Sequence, residues 1–167
     1  EKRPQEDSPW VVTYQSGTAG VKNVYLSGSS TLFTSASDGN WHHYAFAFQN
    51  TGSQINIRTY VDGILNNSIL TGSAIGSVNT ALIGTIGALA GPAAEYASPV
   101  GGDGQSVTPD PVGLGYGKLS GSLDEFRFWK TKRTSRDIGR YWFTQVNGGS
   151  NTDDGNTDLG IYYKFNE

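Results

Sequence analysis

A long stretch of the chain, residues 87–117, combines acidic and aromatic side chains with many glycine, alanine, serine and proline residues. Carboxylates can accept hydrogen bonds from sugar hydroxyls or bind calcium, and a tyrosine ring can stack on a sugar ring. The candidate ligand-binding residues are Tyr96, Asp103, Asp110 and Tyr116. The alternative is a solvated loop that binds no ligand, because a glycine-rich loop often serves only to connect two strands.

A second stretch, residues 147–158, has the composition of a calcium-binding loop. Calcium prefers oxygen ligands, and the candidate metal ligands here are Asp153, Asp154, Asn156 and Asp158. The stretch lacks the EF-hand spacing, which places glycine sixth and glutamate twelfth in the loop. Calcium is therefore the one cofactor that the sequence suggests, and a plain connecting loop is the alternative.

The side chains that lie next to each other do not form a catalytic pattern. Asp124 and Glu125 are adjacent, and successive side chains of a strand point to opposite faces, so they cannot form the close carboxylate pair of retaining glycosidases. His42 and His43 diverge for the same reason and cannot share one metal. The chain has no cysteine and no G-x-S-x-G nucleophile elbow. The sequence predicts a protein that is not an enzyme.

The composition is typical of one domain with many turns and strands. The chain has 167 residues, including 23 glycines, and 12% of it is aromatic, which favours an all-β fold. A net charge of −3 gives no reason to expect nucleic acid as a partner. No apolar run approaches the ~20 residues that a membrane-spanning helix needs. Residues 1–9 are charged and contain two prolines, which predicts an exposed arm or linker before a domain at 10–167.

The clearest structural signal is a β-hairpin within residues 38–63. Its predicted strands, 41–48 and 54–61, are rich in aromatic and β-branched residues and lie between turn signals. The first strand carries no charge on either face, so we expect it to be central and covered on both sides. The second strand alternates apolar and polar residues, which predicts one buried face and one face open to water or a ligand.

Other segments complete an all-β pattern with one short helix. The further predicted strands are 10–15, 21–26, 31–34, 67–70, 81–86, 119–130 and 159–167. Thr134 and Asp137 form a variant capping box, with aspartate in place of glutamate, which predicts that a helix begins there.

Three motifs together resemble the LamG-like jelly-roll modules of the concanavalin A-like lectin/glucanase superfamily. They are W-H-H-Y-A at 41–45 with Y-V-D-G at 60–63, then G-S-L-D-E-F-R-F-W at 121–129, and L-G-I-Y-Y-K-F-N-E at 159–167. The resemblance implies a jelly-roll β-sandwich of two antiparallel sheets with one short helix near the C-terminus, and it makes residues 87–117 an insertion. The last motif either closes this sheet or starts a following module, so we expect the chain to be part of a longer protein.

Three residues of these motifs are interpreted as structural: Trp41, His43 and Asp124. Trp41 and His43 share a predicted strand face. Because His42 and His43 are adjacent and diverge, one of them is expected to be packed or hydrogen-bonded within the sandwich and the other exposed. Asp124 shares its face with Phe126, and a carboxylate on the core side must be hydrogen-bonded. Glu125 and Arg127 lie on the opposite face, within reach of each other.

The expected function is non-catalytic recognition or adhesion by a module of an extracellular or cell-surface protein. Its expected partners are a glycan or a protein surface, with calcium as an accessory ion, and other modules of the same polypeptide. The one basic region, residues 118–140, can bind anionic groups or form an ordinary solvated face. The alternative function is a structural decoration or spacer in a surface or phage virion assembly, contacting neighbouring subunits and binding no sugar.

Overall fold

The computed structural model describes residues 10–16, 18–26, 34–76, 121–143 and 158–165. Seven strands and one helix lie wholly within these ranges: β1 Val11–Ser16, β2 Ala19–Tyr25, β3 Tyr44–Thr51, β4 Gln54–Val61, β5 Ile64–Thr71, β6 Phe126–Trp129, α1 Ser135–Tyr141 and β7 Leu159–Tyr163. Residues 34–35 are also helical. The strands form the pairs β1–β2 and β6–β7 and the sheet β3-β4-β5, and every pairing is antiparallel. The expectation of an all-β protein with one short helix is confirmed.

The predicted central hairpin is formed by β3 and β4, which pair in register from Tyr44 opposite Val61 to Thr51 opposite Gln54. The first strand begins at Tyr44 rather than at residue 41, and β4 rather than β3 is central among the described strands. β4 continues into β5 through a two-residue turn at Asp62 and Gly63, whose φ angles are both positive, at 49° and 77°. An Asp-Gly pair suits such a turn because both residue types tolerate positive φ.

One face of this sheet packs against β1 and β2. The buried cluster contains Val21 from β2, Leu26 directly after β2, Ile55 and Ile57 from β4, and Ile75 after β5. Alternation places Ile55 and Ile57 on the same face of β4, so this is the buried face that the sequence predicts.

Aromatic contacts extend this layer towards the start of β3. The ring of Trp10 lies 4.9 Å from Tyr44 and 5.5 Å from Phe46, measured between ring centroids. Tilted and edge-on pairs at these distances add to the energy of simple burial. The first described residues are thereby fixed over the sheet.

The second face of the sheet is partly covered by the start of α1 and by the residues directly before it. Tyr60 is only 1% exposed, and its hydroxyl makes a 2.8 Å hydrogen bond with the hydroxyl of Ser135. Lys132 Nζ donates to Oε1 of Gln49 at 2.7 Å. The expectation that this face is open to water or a ligand is therefore wrong at Tyr60.

The C-terminal motif pairs with β6, from Phe126 opposite Tyr163 to Trp129 opposite Leu159. β6 is shorter than predicted because residues 121–125 are not in a strand, and Glu125 has a φ of 54°. The predicted strand 81–86, the insertion 87–117 and residues 31–33 lie outside the described residues. The predicted strand 31–34 is wrong at Thr34, which is helical.

The capping box at the start of α1 is confirmed. Thr134 Oγ1 accepts the N–H of Asp137 at 3.2 Å, and the carboxylate of Asp137 accepts the N–H of Thr134 at 3.2 Å. The helix spans seven residues. No helix in the described part of the chain is long and apolar enough to cross a membrane.

Thr134→Ala is expected to lower the free energy of unfolding by about 1 kcal/mol, because the N–H of Asp137 loses its acceptor and the carboxylate of Asp137 loses the hydroxyl that donates to it. Thr131→Ala is the control, since Thr131 is exposed and lies before the helix. Urea unfolding of both variants measures the difference, and equal losses would contradict the capping role. The hydrogen bond from Thr134 lowers the pKa of Asp137 below its ordinary value of 3.8. This part of the stability is therefore present above that pH and is lost as the pH falls through the lowered pKa.

Candidate functional site

The predicted ligand-binding residues Tyr96, Asp103, Asp110 and Tyr116 lie outside the described residues, as do Asp153, Asp154 and Asn156. Asp158 is described, and its backbone carbonyl accepts the N–H of Lys130 at 2.8 Å. Across the described ranges, no group of three or more His, Cys, Asp or Glu side chains is arranged to hold a metal ion. The ligand and calcium assignments stay predictions.

Two of the three residues interpreted as structural lie in unexpected places. Trp41 is 71% exposed. Asp124 is exposed rather than on the core side, and its Oδ1 accepts the N–H of Glu125 at 2.9 Å. His43 is partly buried, 6.1 Å from the ring of Trp142. The strand rule misplaces Trp41 and Asp124 because neither residue lies within a strand of the structure.

Three segments meet at one end of the sheet, around the β4–β5 turn. They are residues 38–43 before β3, residues 62–64 at the turn, and residues 142–143 after α1, and together they are called the rim. Asp62 ties the first two segments together, because its N–H donates to the carbonyl of His43 and its Oδ1 accepts the N–H of His43, both at 2.9 Å. Two hydrogen bonds to the backbone of His43 therefore hold these two segments together.

His42 adds a second connection between the same segments. Its Nδ1 lies 2.7 Å from Oδ2 of Asp62, and its Nε2 lies 2.9 Å from Oδ2 of Asp38. Hydrogen bonds to Asp62 and then to Asp38 raise the pKa of His42 above its ordinary value of 6.5. The side chain of His42 is 18% exposed, so the expectation that one of the two histidines is solvent-exposed is wrong.

Trp142 joins the third segment to the turn. Its indole lies directly against Gly63, so closely that a β-carbon at residue 63 would overlap Cδ1 of the indole and lie 2.8 Å from Nε1. The ring of Phe143 then packs edge-on against Trp142, with ring centroids 5.6 Å apart. Glycine is therefore required at residue 63 for the helix end to reach the turn.

The rim presents the most exposed large apolar side chains of the described ranges. Ile64 is 74% exposed, Trp41 is 71% exposed and Phe143 is 68% exposed, one from each segment. The Asp62-Gly63 pair in the sequence predicts the position of the turn. Nothing in the local sequence signals that the end of α1 meets it, which is why sequence reasoning did not identify Ile64 and Phe143.

Behind the rim lies a polar network that links β6 to β7. Arg127 Nη2 donates to Oε2 of Glu125 at 3.0 Å, which confirms the predicted pair, and the hydroxyl of Tyr162 donates to the same oxygen. Burial opposes ionisation of Glu125, but these hydrogen bonds lower its pKa. Burial, and next the charge of Arg127, lower the pKa of His43. The carboxylate of Glu125 is thus held ionised by its two donors.

The basic region is partly engaged by neighbouring side chains. The guanidinium of Arg133 lies 4.5 Å from the ring centroid of Trp129, a cation–π contact. Arg140 is exposed in the last turn of α1, close to residues 142–143, and Arg136 is exposed in the first turn. The rim therefore combines apolar side chains with nearby positive charge.

No protein-family model matches the chain, and it matches no curated protein and no solved structure.

Proposed function

We propose that the chain is a non-catalytic recognition module that binds a glycan or a protein surface through the rim. The observation that carries the proposal is the exposure of Trp41, Ile64 and Phe143 on three segments that are fixed to one another. Apolar side chains exposed together on a soluble domain typically mark an interaction site. Their fixed positions reduce the ordering cost that binding would otherwise incur.

The chemistry of the rim indicates how it would bind. The carboxylate oxygens of Asp38 and Asp62 already accept hydrogen bonds from within the rim. Contact would therefore come first from the apolar side chains, with Trp41 suited to stacking on a sugar ring and Ile64 and Phe143 suited to burial against a partner. We propose residues 147–158 as the candidate calcium site. Asp103 and Asp110 are proposed as a second candidate ligand-binding site.

The wider setting is proposed on the resemblance to LamG-like modules. We place the antiparallel strands in a jelly-roll sandwich of a larger extracellular or surface-exposed protein. The packing of β1 and β2 on one face of the β3-β4-β5 sheet supports this architecture, because a sandwich requires two sheets with a shared apolar core.

Thermal unfolding in the presence of a glycan panel tests the binding function, with calcium and with chelator in parallel. A ligand at a hundred times its Kd should stabilise the native chain by about 2.7 kcal/mol. The triple variant Trp41→Ala, Ile64→Ser, Phe143→Ser is expected to lose most of this shift while its ligand-free midpoint changes little, because all three side chains are exposed. The matched control is Leu70→Ser, Ile161→Ser, which removes exposed apolar side chains away from the rim.

Equal loss of the ligand shift in both variants would contradict a binding site at the rim. A shift that survives in both but disappears in Asp103→Ala, Asp110→Ala would move the site to residues 87–117. A shift that requires calcium would support the ion as an accessory ligand.

The second candidate function is structural, as a decoration or spacer in a surface or virion assembly. The observation that favours it is an exposed apolar face on the β6–β7 pair, formed by Phe128, Ile161, Tyr163 and Phe165. The structural role replaces the binding role if two results are obtained together. No glycan shifts the unfolding midpoint, and in sedimentation velocity the native chain self-associates whereas the double variant Phe128→Ser, Tyr163→Ser does not.

A further inference from the structure

We propose that His42 is a pH-controlled clip, which holds the segment that carries Trp41 against the β4–β5 turn when its imidazole is protonated and releases the Asp38 end when it is neutral. The clip itself follows from the geometry of three side chains. Its effect on ligand binding rests on the proposed function of the rim.

The two hydrogen bonds of the His42 ring require a protonated imidazole. Both ring nitrogens of His42 face carboxylate oxygens, at 2.7 Å to Asp62 and 2.9 Å to Asp38. An ionised carboxylate only accepts, so both nitrogens must donate, and only the imidazolium has two N–H groups. In the neutral ring one nitrogen carries a lone pair, which would face a carboxylate lone pair at hydrogen-bonding distance.

The contact to Asp38 is the one expected to open. Asp62 stays in place because its N–H and its Oδ1 both bond to the backbone of His43. The other hydrogen bonds of Asp38 come from Asn40, whose N–H donates to Oδ1 at 2.8 Å and whose side chain also donates. These bonds lie within the same loop and do not tie it to the turn. A neutral His42 therefore keeps Nδ1–H on Asp62 and loses Asp38, and the loop before Trp41 is freed from the turn.

The charged and titratable groups around His42 favour its protonated form. Asp38 faces it from its own loop, Asp62 from the turn, and Tyr44 from β3 with ring centroids 6.4 Å apart. Burial raises the pKa of Tyr44, so this phenol stays neutral through the range in which His42 titrates. Beyond Asp62 lie His43 and Arg127, and burial, followed by the charge of Arg127, lowers the pKa of His43.

The direction of the pH effect follows from the raised pKa of His42. The stabilisation by the clip is fully present below the ordinary histidine value of 6.5 and is lost as the pH rises through the raised value of the folded state. The loop before Trp41 is consequently held to the turn below the raised pKa of His42 and released above it.

An NMR titration tests the clip without any ligand. The chain contains two histidines, so the imidazole Cε1–H spectrum has two signals, and His42→Gln assigns them by deletion. The signal of His42 is expected to titrate above 6.5 and that of His43 below it. Asp62→Asn and Asp38→Asn are both expected to lower the pKa of His42, Asp62→Asn by more. Asparagine tolerates the positive φ of residue 62, so this variant keeps the turn.

Backbone NMR order parameters of residues 39–41 report whether the loop is released from the turn. They are expected to fall from about 0.85 below the His42 transition to below about 0.6 above it. In His42→Gln these order parameters should no longer depend on pH. The exposed position of Asp38 lets Asp38→Asn serve if the His42 variant folds poorly.

A His42 signal that titrates at or below 6.5, or order parameters of residues 39–41 that are the same on both sides of the transition, would overturn the clip. If the clip is observed and the rim triple variant still binds glycans like the native chain, the proposed function fails while the clip stands. If both hold, glycan binding should weaken as the pH passes through the transition.

Discussion

Replacing Gly63 with alanine is expected to lower the free energy of unfolding by about 3 kcal/mol. Two costs add at this position. A non-glycine residue at the φ of 77° observed here is strained, and the new methyl group would overlap the indole of Trp142 while lying 3.1 Å from the Cα of Gly139. The helix end would have to move off the turn, so the rim should also lose its order.

Gly52→Ala is the matched control. Gly52 has a similar φ of 71°, in the turn between β3 and β4, but nothing lies within 4 Å of the position of its β-carbon. It should therefore show only the backbone cost, about 1 kcal/mol. Urea unfolding of both variants separates the two contributions.

A double-mutant cycle with Trp142→Ala isolates the steric contribution further. In the Trp142→Ala background, Gly63→Ala should cost little more than Gly52→Ala, because the overlapping ring is gone. Equal costs for the two glycine variants in the native background would mean that Trp142 does not pack on the turn. That result would also separate residues 142–143 from the rim.

Replacing Ile57 with alanine is expected to cost about 3 kcal/mol, the second large effect. Ile57 is completely buried between the sheet and the β1–β2 pair. Removing three of its four side-chain carbons loses the transfer energy of those atoms and leaves a cavity. Ile57→Val should cost only about 1 kcal/mol, because a single methylene is removed.

Leu70→Ala is the control for this variant, since Leu70 lies on the neighbouring strand β5 and is 55% exposed. Its stability should change by less than about 0.5 kcal/mol. Val21 belongs to the same buried cluster but comes from β2, so Val21→Ala and Ile57→Ala should not be additive. Additive losses would contradict the packing of β1 and β2 on this face.

Local sequence patterns correctly predict the core face of β4 and the start of α1. The alternation of Ile55 and Ile57 with polar residues identifies the core face of β4, and the structure agrees. The capping box at Thr134 predicts the start of α1, and the structure places the helix there. Both patterns depend on contacts within a few residues, so the sequence is sufficient to find them.

Alternation fails where the backbone leaves the strand. Trp41 precedes β3, and its side chain is free to point into solvent. At Glu125 a positive φ of 54° breaks the two-residue repeat, so Asp124 turns outwards. Glu125 instead accepts hydrogen bonds from Arg127 and Tyr162, and Tyr162 lies 37 residues away in the sequence.

By itself the sequence determined the all-β character, the central hairpin, the buried face of β4 and the capped helix, because periodicity and short-range hydrogen bonding are written in neighbouring residues. Only the tertiary structure decided that the Asp-Gly turn, the loop of His42 and the end of α1 meet in one rim. That meeting depends on Trp142 packing on a glycine 79 positions earlier in the sequence and on two carboxylates that enclose one imidazole. Such long-range contacts are selected by the shape and charge of the folded chain, which no local pattern specifies.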